Sequence, residues 1–222
     1  MPIEKLNLKA ILIMPIQKID FKKKFKQFYN PKPIAQLTEV VGMQFLMIDG
    51  MGVAQSKDFS EAIEALFSVS YKAKFMAKES LNFDYTVMPL EGLWWADDMN
   101  DFITGNKERW KWTLMIMQPE QITNQLIDEA RAVVKKKSKL SILDNLRLEY
   151  FTEGKAAQML HVGSFSEEHE NIMKLHKLIE DSGGVLTGKH HEIYLSDFRK
   201  VEPSKMKTIL RQPFKDLKQT EY

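Results

Sequence analysis

Cysteine is absent from all 222 residues, which removes disulfide frameworks, thiolate nucleophiles and zinc-thiolate sites together. The absence suits a reducing compartment, and a cytoplasmic protein is expected. Long apolar runs are missing as well. The N-terminal stretch "AILIMPI" is too brief to span a bilayer and is followed by no small-residue cleavage site, so neither a membrane span nor a signal peptide is read. An excess of one charge is also lacking: 32 basic and 30 acidic residues leave a formal +2, and the lysines are interspersed with acids. Nucleic-acid binding through bulk electrostatics is therefore not expected. The densest basic runs, at 22–24 and 135–137, read as solvated faces, even though Phe25, Phe28 and Tyr29 follow the first. No pair of histidines stands at i,i+4 on a helix, because His169 and His176 are two turns apart. A zinc site is not expected, and no cofactor or metal is called for.

What is present is enough for a real core, with 44% hydrophobic and 28% charged residues in a chain of one large or two small domains. Residues 1–37 read as a leader that packs on the domain, ending in "YNPKPIAQ", whose prolines favour an extended connection. Patterned segments follow. "MQFLMID" reads as a strand closed by the turn "DGMG", and a helix begins near Asp58 or Ser60 with Ala62, Ala65, Leu66, Val69, Ala73 and Met76 at helical spacing. "FDYTVMPLEGLWW" and "WKWTLMIMQP" read as extended, separated by the polar "ADDMNDFITGNKER". A helix over about 119–137 leads into a second set: strand "KAAQMLHVGSF", helix "SEEHENIMKLHKLIEDSGG", strand "GKHHEIYLSD" and strand "MKTILRQPF".

The landmarks of the two sets recur in order. "MIDGMG" answers "LHVGSF", "LEGLWWADD" answers "HEIYLSD", and a Gln-Pro closes the last strand of each, at 118–119 and 212–213. The expected fold is α+β: a duplicated β-α-β-β unit, about 38–118 and 150–222 within a domain spanning 38–222, forming an antiparallel sheet with helices on one side. A central ligand cleft is expected between the pseudo-twofold repeats, on the other face of the sheet.

Strand alternation sorts "GKHHEIYLSD" into two faces. His191, Ile193 and Leu195 share one, expected under the helices. His190, Glu192, Tyr194 and Ser196 share the other, expected to line the cleft. The adjacent histidines thus point apart and cannot join Glu192 on one ion. A glutamate among aromatics can attract a cation or hydrogen-bond donor, or act as a general base raised by desolvation. All four tryptophans, Trp94, Trp95, Trp110 and Trp112, fall in two neighbouring strands and offer stacking surface for a flat ligand. Trp94 and Trp95 must face opposite ways. The counterpart of Glu192 in the first repeat is Glu91 in one register and Gly92 in the other, and Gly92 would leave room opposite the carboxylate.

The segments "FLMIDGMG", "PLEGLWW", "WKWTLMIMQP", "HVGSF", "KHHEIYLSD" and "KMKTILRQPF" together resemble the GyrI-like small-molecule-binding family, in its stand-alone bacterial type. The resemblance implies a buried glutamate in the second repeat facing aromatic ligands, which falls on Glu192, with Tyr194 beside it. Some relatives hydrolyse cyclopropane rings in DNA-alkylating natural products, and others only bind drugs. The chain departs from the family pattern with "VAQ" after the "DGMG" turn and with Phe198 in place of a proline. The implied function is detoxification by hydrolysis, with Glu192 as base, Tyr194 as donor, and Tyr71, Glu91, Trp94, Trp95, Trp112 and His161 toward the substrate. The alternatives are a non-catalytic multidrug binder for planar or cationic molecules, and an interaction protein masking a partner enzyme. The oligomeric state is open, and the leader is too short for a helix-turn-helix domain of its own.

Overall fold

The computed structural model describes residues 18–54, 56–98 and 107–217. The leader makes two short helices, α1 (Phe21–Lys24) and α2 (Lys26–Tyr29), and then an edge strand, β1 (Gln36–Val40). The first repeat is β2 (Met43–Met51), α3 (Lys57–Ser80), β3 (Leu90–Trp95) and β4 (Lys111–Gln118). After α4 (Asn124–Lys135) and β5 (Arg147–Phe151), the second repeat follows as β6 (Gly154–Val162), α5 (His169–Asp181), β7 (Gly184–Leu186), β8 (His190–Tyr194) and β9 (Lys207–Asp216). The helix caps explain the boundaries. Ser56, not Asp58 or Ser60, accepts the Phe59 amide to start α3, Thr123 does the same for Leu126 in α4, and Gly183 at φ 76° ends α5.

Strand order is β1-β6-β9-β8-β3-β4-β2-β5, with β7 paired on β9, and every pairing is antiparallel. Read outward from its centre, the order is symmetric: β8, β9, β6 on one side and β3, β4, β2 on the other. The two repeats therefore meet where β3 pairs with β8, and Gly92 lies directly across from Glu192. Position along the strands decides between the two registers. A twofold axis normal to the sheet keeps each side chain on its own face. Gly92 shares a face with Glu192, whereas Glu91 points the other way, so Gly92 is the counterpart.

Only two residues join β1 to β2 and two join β5 to β6, yet each pair of strands sits at opposite ends of the strand order. Such a link reaches no more than ~11 Å, so the sheet curls until its ends meet at this corner. There Tyr150 donates to the Gly42 carbonyl at 2.8 Å, and a Cβ on Gly42 would fall 2.3 Å from the Tyr150 ring.

One face carries α3 and α5. Phe59 of α3 stacks on Trp94, while Leu175 and Ile179 of α5 cluster with Ala157, Met159 and Leu210. The opposite face takes the leader, through Tyr29 on Glu91 and the Phe28 carbonyl on Arg211. Covered on both sides, β4 is buried along nearly its whole length. No helix among the described residues is long and apolar enough to cross a membrane.

Candidate functional site

The grouping of side chains on β8 follows the alternation read from the sequence, but the expected side is reversed. His190, Glu192 and Tyr194 face the same side as α3 and α5, and His191 and Ile193 face the leader. The reason is that the leader, not a helix of the repeats, covers the opposite face, with Tyr29 reaching Glu91 and Glu91 reaching His191.

On the helix side, several side chains converge on one carboxylate. Trp94 Nε1 donates to Tyr194 Oη at 3.0 Å, and the Tyr194 hydroxyl is turned toward Glu192. Burial first, then the charge of Glu192, push the Tyr194 phenol well above its ordinary range, so it remains a donor at all physiological pH. Its ring is clamped edge-on by Phe165 and Phe198, at 5.9 and 5.5 Å; the residue that departs from the family's proline thus packs on the proposed donor. Trp94 is stacked on Phe59 and met edge-on by Trp110. Gly92 makes this convergence possible, since a Cβ there would lie 2.9 Å from Trp94 Nε1 and 3.0 Å from Tyr194 Oη.

Glu168, at the entrance to α5, is the residue the sequence reading missed. Its carboxyl is buried and pushed up to about 9, first by loss of solvent and then by Glu192, with the nearby Thr208 pulling the other way. It therefore holds a proton at neutral pH. The one available signal was a capping box: Ser164 and Glu167 cap each other across the 3-10 turn Phe165–Glu167, leaving the next glutamate to turn inward. Among the described residues, Glu168 Oε1 and both ring nitrogens of His190 are buried without a hydrogen-bond partner. His190 Nε2 stands 3.6 Å from Glu192 Oε1, too far for a hydrogen bond. His176 of α5 faces His190, and its pKa is lowered, first by burial and then by the neighbouring histidines. Buried polar groups normally find partners, and three atoms unpartnered among the described residues belong to side chains beside Glu192, two to His190 and one to Glu168.

The other sequence candidates are dispersed. Trp112 is fully buried, edge-on to Phe59, and acts as floor behind Trp94. His161 is buried and bonded to Asn171 and to the Ser164 carbonyl, which steadies the turn carrying Glu168. Tyr71 is half exposed on Phe67, ~18 Å along α3 from Phe59 at 1.5 Å per residue. Trp95 lies on the leader face beneath the Lys189 ammonium.

Glu91 is also on the leader face, inside a dry charge network. It accepts from Tyr29 at 2.7 Å and faces His191 Nε2 at 3.0 Å, while His191 Nδ1 lies 2.7 Å from Glu153. Both nitrogens meet carboxylates, which only accept, so the imidazole carries both protons. Its pKa is accordingly raised, burial being outweighed by Glu153 and Glu91. Arg211 completes the set by donating to Glu153, Gln158 and the Phe28 carbonyl. Although burial alone would lift the Glu153 carboxyl, His191 and Arg211 hold it down at about 2.

Comparison with known proteins agrees with this architecture. The GyrI-like small molecule binding domain model matches residues 36–215. A conserved protein from Listeria innocua is 40% identical with a TM-score of 0.80, covering 89% of this chain and 100% of its own. A hydrolase from the same organism is 39% identical with a TM-score of 0.79 over the same shares. The C-terminal domain of EcmrR, at 13% identity and a TM-score of 0.50 over 82% of this chain and 98% of its own, shares the fold. No curated protein matches the chain. With the family model spanning both repeats and the strand β3–β8 seam at their centre, the chain belongs to the GyrI-like family and carries its small-molecule-binding domain.

Proposed function

We propose that the Glu192 site takes up a flat, apolar molecule bearing a strained cyclopropane and adds water across the ring. Two carboxyl groups brought close together, with the Glu168 carboxyl buried and raised by loss of solvent and by Glu192, are the observation that carries this reading. Such a pair divides the work of a general base and a general acid. Glu192 accepts a proton from water as the water oxygen bonds to the ring methylene. The ring C–C bond breaks, its electron pair passes to the conjugated carbonyl of the substrate, and Glu168 delivers its proton to that oxygen. The sum is one water added, and the protons on the two carboxyls are restored by exchange. Tyr194 holds Glu192 in orientation, and Trp94 with Trp110 offers the flat wall. Release of ring strain leaves little for further activation, so positioning and proton transfer suffice. The naming of a 39% identical relative as a hydrolase supports the reading.

The test is to incubate the protein with a cyclopropane-bearing alkylator and search by mass spectrometry for a product one water heavier. Glu192→Gln, nearly isosteric, is expected to lower the rate by ~100-fold or more. Alkylator recovered unchanged, with tryptophan fluorescence altered by its binding, would point to sequestration instead of turnover.

A further inference from the structure

The face opposite Glu192 holds a concavity of about 340 Å³, within the size range of small-molecule sites. Met47, Leu93 and Pro213 give it an apolar floor, and Glu153, Thr187 and Lys189 bring polar groups to its wall. Glu153 is 1% exposed. Its Oε2 is taken up by His191 and Arg211, yet its Oε1 is buried with no partner among the described residues. An orphaned carboxylate oxygen in a lined cavity asks for a donor.

Charge decides which donor. The Glu153 carboxylate already has two cations on its other oxygen, so a third positive group would be repelled by His191 and Arg211. The remaining charged wall is neutral as a set, Arg147 and Lys189 balancing Asp49 and Glu149. Lys189 rests 3.3 Å over the Trp95 ring and can turn to offer an N–H to an acceptor. We infer that this cavity is a second ligand site, separate from Glu192, which takes a neutral aromatic amide: the N–H goes to Glu153 Oε1, the carbonyl to Lys189, and the ring lies on Leu93 and Pro213.

Benzamide, benzamidine and benzoate share a ring and differ in charge, so they test the inference directly. Each is titrated into the full-length protein while the Met47 methyl and Gly188 amide signals are followed by NMR. Benzamide is expected to shift both saturably, with the other two at least ten-fold weaker. The shifts are expected to persist in Glu192→Gln and to disappear in Thr187→Trp, which fills the cavity while leaving the charge network whole. Glu153→Gln is expected to weaken benzamide by ten-fold, read only if its circular dichroism matches the wild type. No saturable shift, equal or tighter binding of benzamidine, or shifts that survive Thr187→Trp would each overturn the site.

Discussion

At the scale of single residues, the decisive contrast is between Glu168 and Glu192, which are chemically identical but differently placed. Glu168 is held near a pKa of about 9 against an ordinary 4.5. A carboxyl that keeps its proton when folded favours folding at low pH and loses that advantage as pH rises from 4.5 through 9. Glu168→Gln keeps the shape, supplies an amide in place of the protonated acid, and removes this penalty. It is expected to raise the urea midpoint at pH 8, by the equivalent of ~1 kcal/mol or more, while flattening the stability profile between pH 5 and 9. The same substitution is expected to lower turnover by ~100-fold, and wild-type turnover is expected to decline above pH 9 as the proposed acid loses its proton. A variant both less stable at pH 8 and fully active would remove Glu168 from the mechanism. Tyr194→Phe strands Trp94 Nε1, whose acceptor is the tyrosine oxygen. The expected cost is ~1–3 kcal/mol for the unpaired buried donor, measurable by thermal denaturation, together with slower turnover.

At the scale of elements, the site is an outcome of strand pairing. Trp94 and Tyr194 come from different repeats and meet only because β3 and β8 pair with Gly92 across from Glu192. Gly92→Ala inserts a methyl 2.9 Å from Trp94 Nε1 and 3.0 Å from Tyr194 Oη, so both side chains must move. Overpacking of this kind costs ~1–3 kcal/mol. The expected result is a folded protein with a shifted tryptophan emission and at least ten-fold lower turnover; unchanged emission and rate would show that the seam tolerates a side chain there. The strands at this seam were legible in sequence because "LEGLWW" and "HHEIY" are β-rich, bounded by turns, and matched by a repeat. The alternation within them was legible too, since period two is a property of any strand. Which face the helices cover was not. That depends on where the leader goes, and "DFKKKFKQFYNPK" carries no local mark that Phe28 and Tyr29 bury themselves under β3, β8 and β9. The edge strands β1 and β5 were also missed, because their half-exposed patterns lack the apolar runs that mark buried strands. Glu168 stayed hidden for a related reason: its burial comes from α5 closing over β9, a contact between segments some forty residues apart that no local pattern records.

At the scale of the whole molecule, the leader is fastened by charge as well as by apolar packing. Tyr29 and the Phe28 carbonyl tie the leader to Glu91 on β3 and Arg211 on β9, and through His191 to Glu153 at the corner where the sheet ends meet. The network is dry, so its members stabilise the fold only while each keeps its partner. The pH dependence follows from the directions of the shifts. Glu153, held at about 2 against 4.5, contributes stability above pH 4.5 that is lost as pH falls toward 2. His191, raised from 6.5, contributes stability that is complete below 6.5 and lost as pH rises through its folded value. The two overlap between pH 4.5 and 6.5, and Glu168 weighs the balance toward the acid end of that window. Urea midpoints measured across pH are therefore expected to peak in mild acid, not at neutrality. Arg211→Met leaves Glu153 with one cation in place of two and is expected to cost ~3–5 kcal/mol. It is also expected to shift the acid limb of the profile upward in pH, as Glu153 becomes easier to protonate. Hydrogen exchange gives the spatial readout: protection of the Phe28 and Tyr29 amides is expected to fall first in this variant, because the guanidinium that bonds the Phe28 carbonyl is the leader's direct tie to β9. Loss spread evenly over β3, β4 and α3 would instead mean that the network supports the sheet and that apolar contacts alone hold the leader.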